Sequence, residues 1–402
     1  MPKDRESANT GSTWRLLKCA VFLGAAFGCI PLEAVAACAE KVGKDLPTAA
    51  PSEVGISSAS WVSLNEAIDS SRHEVRALLV IRGCKLVFER YKVGIGREHN
   101  HSLYSVTKSV SATLVGALLH QGTFKSIDVP VADVVTKPDR TSSENWAKAN
   151  SITLRNVMQM SSGLAYRHDP VAHPIYDTRE DRLAVAFAPE SQASPGTRFL
   201  YSDGDVSVTG AVIASVAQSD LLNYGKKVLF DPMEMSNVAW FFRDRVGRYP
   251  GGWGLRLRPM DMAKFGQLYL QKGEWNGTRV FSPEFLEDAW RPGPNPAYGL
   301  HWWIGSHPSA RGAPYYFANG FKGQRIYIFP TLDAVVVMSA SLPGNEESVV
   351  TPMVIKALAD SIAAGADSAD LQTDARLKTI ETRGFRGEIR VFQENQDDPR
   401  RF

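Results

Sequence analysis

Between Ala77 and Tyr91 two apolar, β-branched runs flank Arg82-Gly83, a pattern that predicts a β-hairpin. From Ser105 to Leu119 there is no proline, and Val110, Leu114, Val115, Leu118 and Leu119 recur at helical spacing. That run stops before Gly122, as a helix with a glycine beyond its end. From about 123 to 260 the helical patterns are shorter and broken by Pro and Gly: Leu154–Met160, Arg179–Phe187, Asp205–Ala217 and Leu221–Leu229. They predict a mainly helical lobe. Two further helices, Met260–Gln271 and Pro283–Trp290, precede four strand-like runs: Gly299–Gly305, Tyr315–Ala318, Gln324–Phe329 and Ala334–Ser339. Val350–Ala363 reads as a closing helix. Residues 39 to about 60 read as a surface lead-in, and the polar end from about 386 to 402 as a tail. The order implies an α+β fold, a sheet flanked by helices with an inserted α-helical lobe.

Composition adds little except by exclusion. The chain has 402 residues, 44% of them hydrophobic, and a net charge of +2. No charge excess or basic run points to nucleic acid. A soluble protein acting on a small or neutral substrate is the expected case. At the N-terminus, Lys3, Arg5, Arg15 and Lys18 precede an apolar run from Cys19 to Ile30, followed by Ala34-Val35-Ala36-Ala37. That is the order of a secretory signal peptide over 1–37, which places the mature chain, from 38 to about 385, in the periplasm or outside the cell. No later run is long and apolar enough to span a membrane. Cleavage would leave two cysteines, Cys38 and Cys84. They are candidates for a disulfide, although Val35-Ala36-Ala37-Cys38 also fits a lipoprotein box in which Cys38 carries lipid.

Three segments carry candidate chemistry. Ser105-Val-Thr-Lys108 is the only S-x-x-K in the chain, and positions three apart share a helix face. With Ser105 at the helix start, free N–H groups and the helix dipole would favour an oxyanion and disfavour a charged Lys108, fitting the amine to act as a base. Pro195-Gly-Thr-Arg-Phe-Leu-Tyr201-Ser-Asp203 places Tyr201 at the end of a loop, just ahead of a helix. There its phenol could take the Ser105 proton. Tyr315-Tyr-Phe-Ala-Asn-Gly-Phe-Lys-Gly-Gln324 leads into a strand, and Gly320 and Gly323 allow close backbone approach. An edge strand here could offer a second oxyanion donor, with Asn319 and Gly320 beside the substrate. Trp302 and Trp303, if on a strand, face opposite sides, one towards the core and one able to wall a cleft. His168, His173 and His301 read as surface or packing residues. There is no G-x-S-x-G, H-E-x-x-H or G-x-G-x-x-G before a helix, so neither a hydrolase elbow, a metal nor a dinucleotide cofactor is implied.

The order S-x-x-K, then P-G-x-x-F-x-Y-S-x, then a Gly-rich strand resembles the serine β-lactamase-related family. Ile152–Leu164 resembles its LLxMTSGL segment, and Pro259–Tyr269 its helix with D-M-A-R-F-G. The likeness runs from about 50 to 365 and is nearest to class C-type carboxylesterases and 6-aminohexanoate-dimer hydrolases. It implies a β-lactamase/transpeptidase-like antiparallel sheet and an acyl-enzyme on Ser105, with Lys108 and Tyr201 moving protons. It also implies an oxyanion hole from the backbone N–H groups of Ser105 and Ala318. Two departures matter. Tyr315-Tyr316-Phe317 stands where the family has K-T-G, so a cation for a substrate carboxylate is missing. Asp203 stands where many relatives have Asn, which points to a neutral or amine-bearing substrate. The alternatives are a β-lactamase or D,D-peptidase, and a non-catalytic binding protein on the same fold.

Overall fold

In the computed structural model of the chain, β1 (Val75–Arg82) and β2 (Lys85–Tyr91) form the predicted hairpin. It turns on Gly83-Cys84, one residue later than the sequence pattern places it. Both turn residues have positive φ, 56° and 64°, the twist that a two-residue antiparallel turn needs. The structure describes residue 38 and residues 40–169, 172–306, 308, 312–365, 371–387 and 389. The expected leader, 1–37, and most of the expected tail lie outside the described residues. Four more strands follow, β3 (Trp303–Ser306), β4 (Pro314–Gly320), β5 (Gln324–Phe329) and β6 (Ala334–Ala340). The sheet order is β2-β1-β6-β5-β4-β3, antiparallel throughout.

Side-chain alternation divides the core into two layers. Leu78 and Val80 of β1 pack with Trp61 and Ile68 of α1 (Ser58–Ser70). Leu79 and Ile81 face Val110 and Leu114 of α2 (Val106–His120), Val212 of α3 (Asp203–Ala217) and Phe265 of α4 (Pro259–Leu270). Helices α5 (Gly344–Ala363) and α6 (Leu371–Arg383) join the α1 side through Leu358 and Ile380. With both faces covered, β6 is buried at all seven positions, which is why it reads as an unbroken apolar run. The lobe between α2 and α4 is mainly helical, as the pattern predicts. α1 and α6 were not legible; α6 is largely polar and docks by a narrow stripe, Leu377 and Ile380. α5 starts six residues before Val350 and accommodates Pro352.

Helix α2 is buried from Val106 to Leu118, on every face. Its apolar residues anchor it, and its polar ones grip loops. Ser109 Oγ donates to the carbonyl of His301 at 2.8 Å, Ser111 Oγ to that of Gly251 at 2.6 Å. Buried hydroxyls need such partners, and these bonds draw two distant loops around the start of α2. Cys38 and Cys84 are joined in a disulfide, fastening the N-terminal segment to the hairpin turn. A sulfur in that bond is not free for a lipid. Among the described residues no helix is long and apolar enough to cross a membrane.

Candidate active site

Ser105 is the residue at which the chain enters α2. It already has helical dihedrals, φ −72° and ψ −5°, and its side chain makes no cap hydrogen bond. Its neighbour Tyr104 takes a left-handed φ of 47°, a sharp turn into the helix. The hydroxyl is thus released from the usual capping role and meets Lys108 Nζ at 2.9 Å, one turn on. Ser105 is half-buried, whereas Lys108 is 1% exposed. The N–H groups of Val106, Thr107 and Lys108 bond the carbonyls three residues back, so the expected set of free first-turn donors shrinks.

Lys108 corrects a second expectation. Its Nζ lies 2.6 Å from Asp203 Oδ1 and 3.4 Å from the carbonyl of Gly252. Burial pulls the ammonium towards its neutral form, but the charge of Asp203, helped by Tyr201, outweighs it and holds the pKa above the ordinary lysine value. Lys108 is therefore a charged residue at rest, not an amine poised as a base. Gly252 is required for this approach, because a Cβ there would sit 2.4 Å from Val206 Cγ1 and 3.1 Å from Lys108 Nζ.

Asp203, expected at the substrate, is instead an internal counter-ion, 4% exposed. It opens α3 behind the N-cap Ser202. Its Oδ1 faces Lys108, and its Oδ2 accepts from the Tyr176 hydroxyl and, at 3.5 Å, from that of Tyr166. The repulsion it would exert on an anionic substrate is matched by the ammonium. Tyr201 precedes it by two residues. Lys108 Nζ lies 4.9 Å from the centre of the Tyr201 ring, so the amine has the serine hydroxyl and the tyrosine ring as neighbours.

The two tryptophans separate. Trp302 is fully buried, stacked on Phe265 and donating to Tyr269 at 3.2 Å, so it is a core residue and not a substrate contact. Trp303, half-buried, stacks on Tyr201 with ring centres 5.8 Å apart. Phe199 at 6.4 Å and Phe317 at 6.2 Å extend that aromatic wall. Tyr316 stacks on Trp290 at 3.8 Å.

β4 is not the edge strand; β3 is. Pairing between them ends at Trp303 opposite Phe317, so Ala318, Asn319 and Gly320 run past the last β3 partner. On the other side these three residues remain paired to β5. At Gly320 the strand closes on the turn that leads into Ser105, where an added Cβ would meet the Leu103 carbonyl at 2.3 Å.

Sequence reasoning missed Tyr166, Tyr176 and Gly252. Their only trace was the ring-rich stretch from Tyr166 to Tyr176 and the Pro250-Gly251-Gly252-Trp253 turn. His301, buried behind Lys108, bonds Thr209 at 3.0 Å and is pushed down to about 3 by burial and then by the Lys108 charge. Among the described residues no group of three or more His, Cys, Asp or Glu is arranged to hold a metal ion.

Comparison with known proteins agrees with this architecture. The 6-aminohexanoate-dimer hydrolase of Paenarthrobacter ureafaciens is 23% identical over 295 residues, 66% of this chain and 72% of that one. A Bacillus anthracis structure provisionally named as a 6-aminohexanoate-dimer hydrolase superposes with a TM-score of 0.65 at 21% identity, covering 79% of this chain and 89% of its own. The octameric penicillin-binding protein homologue of Pyrococcus abyssi gives 0.56 at 20%, covering 75% and 76%. The sequence model of the beta-lactamase family matches residues 66–360, which take in the whole of the sheet and lobe, and this chain belongs to that family.

Proposed function

We propose that the chain is an exported serine hydrolase that cleaves an ester or amide of a neutral, apolar acyl group through an acyl-enzyme on Ser105. The observation that carries this reading is the contact of Ser105 Oγ with Lys108 Nζ at 2.9 Å, with the Tyr201 ring centre 4.9 Å from the same Nζ. In this mechanism Tyr201 reacts as its phenolate, and Ser105 Oγ bonds to the substrate carbonyl carbon while its proton passes to the phenolate oxygen. Lys108 stays an ammonium and stabilises the charge on that oxygen. The carbonyl oxygen becomes an oxyanion facing the N–H groups of Ser105 and Ala318. As the leaving group departs it takes the proton from Tyr201. The phenolate left on Tyr201 then takes a proton from water, whose oxygen bonds to the acyl carbon; the bond to Ser105 Oγ breaks and Oγ takes that proton back. The disulfide suits an oxidising compartment and supports export.

The rings of Phe199, Trp303 and Phe317, and the lack of a cationic side chain in Tyr315-Tyr316-Phe317, favour an apolar acyl group over one with a carboxylate. A fluorophosphonate probe, p-nitrophenyl acetate and butyrate, and a chromogenic cephalosporin test the reading together. Ser105-dependent labelling and ester turnover, both lost in Ser105→Ala, are expected. Turnover of the cephalosporin with none of the esters would replace the reading by a β-lactamase. No labelling of the folded protein would leave a binding protein.

A further inference from the structure

We propose that Tyr176 is a positioning residue which, through Asp203, keeps Lys108 in its working charge state and so sets the pH range of the nucleophile. This inference rests on the Ser105 hydrolase reading. Tyr176 ends a loop and is buried, 3% exposed. Its hydroxyl donates to Asp203 Oδ2, the oxygen turned away from Lys108. The loop makes that hydroxyl a hub. Tyr166 lies 3.1 Å from it and His168 Nδ1 3.3 Å, and the ring stands 5.2 Å from Trp253. A phenol in such a position favours the charged carboxylate and aims its other oxygen at the lysine.

The surrounding charges make this pair decisive. Lys108 faces Asp203 and Tyr201 from the α3 side, the Gly252 carbonyl from the turn, and buried His301 from the segment before β3. Asp203 faces Tyr166, Tyr176 and His173 from the loop, and Tyr298 from the segment before β3. Asp205, on the same helix, is occupied by Ser162. Asp203 is thus the one carboxylate in direct contact with the ammonium among these groups. Without it, only Tyr201 opposes burial at Lys108, and burial favours loss of its proton.

The two ends of the pair predict opposite effects. Asp203→Asn keeps the shape and removes the charge, so Ser105 reactivity gains a decline on the alkaline side. Tyr176→Phe removes one oxygen and leaves the carboxylate easier to protonate, so the acid edge moves to higher pH. The experiment is the rate of fluorophosphonate labelling of the full chain from pH 5 to about 10.5, the ordinary lysine range, with circular dichroism to check folding. The expected shift is about one unit or more for Asp203→Asn and less for Tyr176→Phe. Folded variants whose profiles superimpose on the parent, or which lose rate equally at every pH, would overturn the proposal. Absence of Ser105-dependent labelling in the parent would instead bring down the hydrolase reading, and this inference with it.

Discussion

Gly320→Ala tests whether β4 must press on the nucleophile turn. The backbone at Gly320 is extended, φ −118° and ψ 151°, a conformation any residue adopts. What alanine lacks there is space: its Cβ would stand 2.3 Å from the Leu103 carbonyl oxygen and 3.2 Å from Val106 Cγ2. An ordinary C···O contact is about 3.3 Å, so strand and turn must part by about 1 Å. Both flanking atoms are backbone or the first turn of a fully buried helix, which gives little room to relax. Overpacking of this kind costs about 1–3 kcal/mol of stability. A displacement of 1 Å at reacting groups costs about a hundredfold in rate, or roughly 2.7 kcal/mol. Ester kcat should therefore fall by about two orders of magnitude with KM little changed, while a thermal melt still reports a folded chain. A folded Gly320→Ala protein with the parent kcat would refute the reasoning, because β4 would then play no part in aligning the carbonyl.

Other outcomes follow from separate observations. Asp205 is buried and pushed up to about 7 by desolvation, so between 3.8 and 7 the folded state keeps a proton that the unfolded state has lost. Stability therefore falls as pH rises through that window, and Asp205→Asn should gain on the parent by up to about 4 kcal/mol across it in urea melts; a constant difference would exclude the effect. His101 and His301, both pushed down to about 3 by burial, act in the opposite sense, and their contribution is lost as pH falls from 6.5 towards 3. The Cys38–Cys84 bond closes a separation of 46 residues. Replacing both by serine should cost about 4 kcal/mol but spare kcat, since the bond lies at the β2 end of the sheet and Ser105 faces the β4 end; a matching loss of kcat would contradict this. Trp303→Ala removes the ring stacked on Tyr201 and should raise KM for aryl esters several-fold, about 1 kcal/mol. An unchanged KM would remove Trp303 from the cleft wall.

The sequence by itself determined what depends on near neighbours. Alternating and unbroken apolar runs marked the hairpin and the four later strands, because a strand shows its burial at every residue. Ser105 and Lys108 were legible as a pair because one helical turn brings them together whatever the rest of the chain does. Tertiary structure decided what crosses the chain. The sign of the Lys108 shift depends on Asp203, 95 positions away, which outweighs burial only because it lies 2.6 Å from the amine. Trp302 and Trp303 have the same composition and adjacent places, yet only packing against Phe265 or Tyr201 assigns one to the core and the other to the cleft. Tyr176 has no local signature, since its role comes from a loop folding back onto α3. Local spacing fixes which groups sit on one face; charge and solvation at that face are set by whatever the fold brings against it.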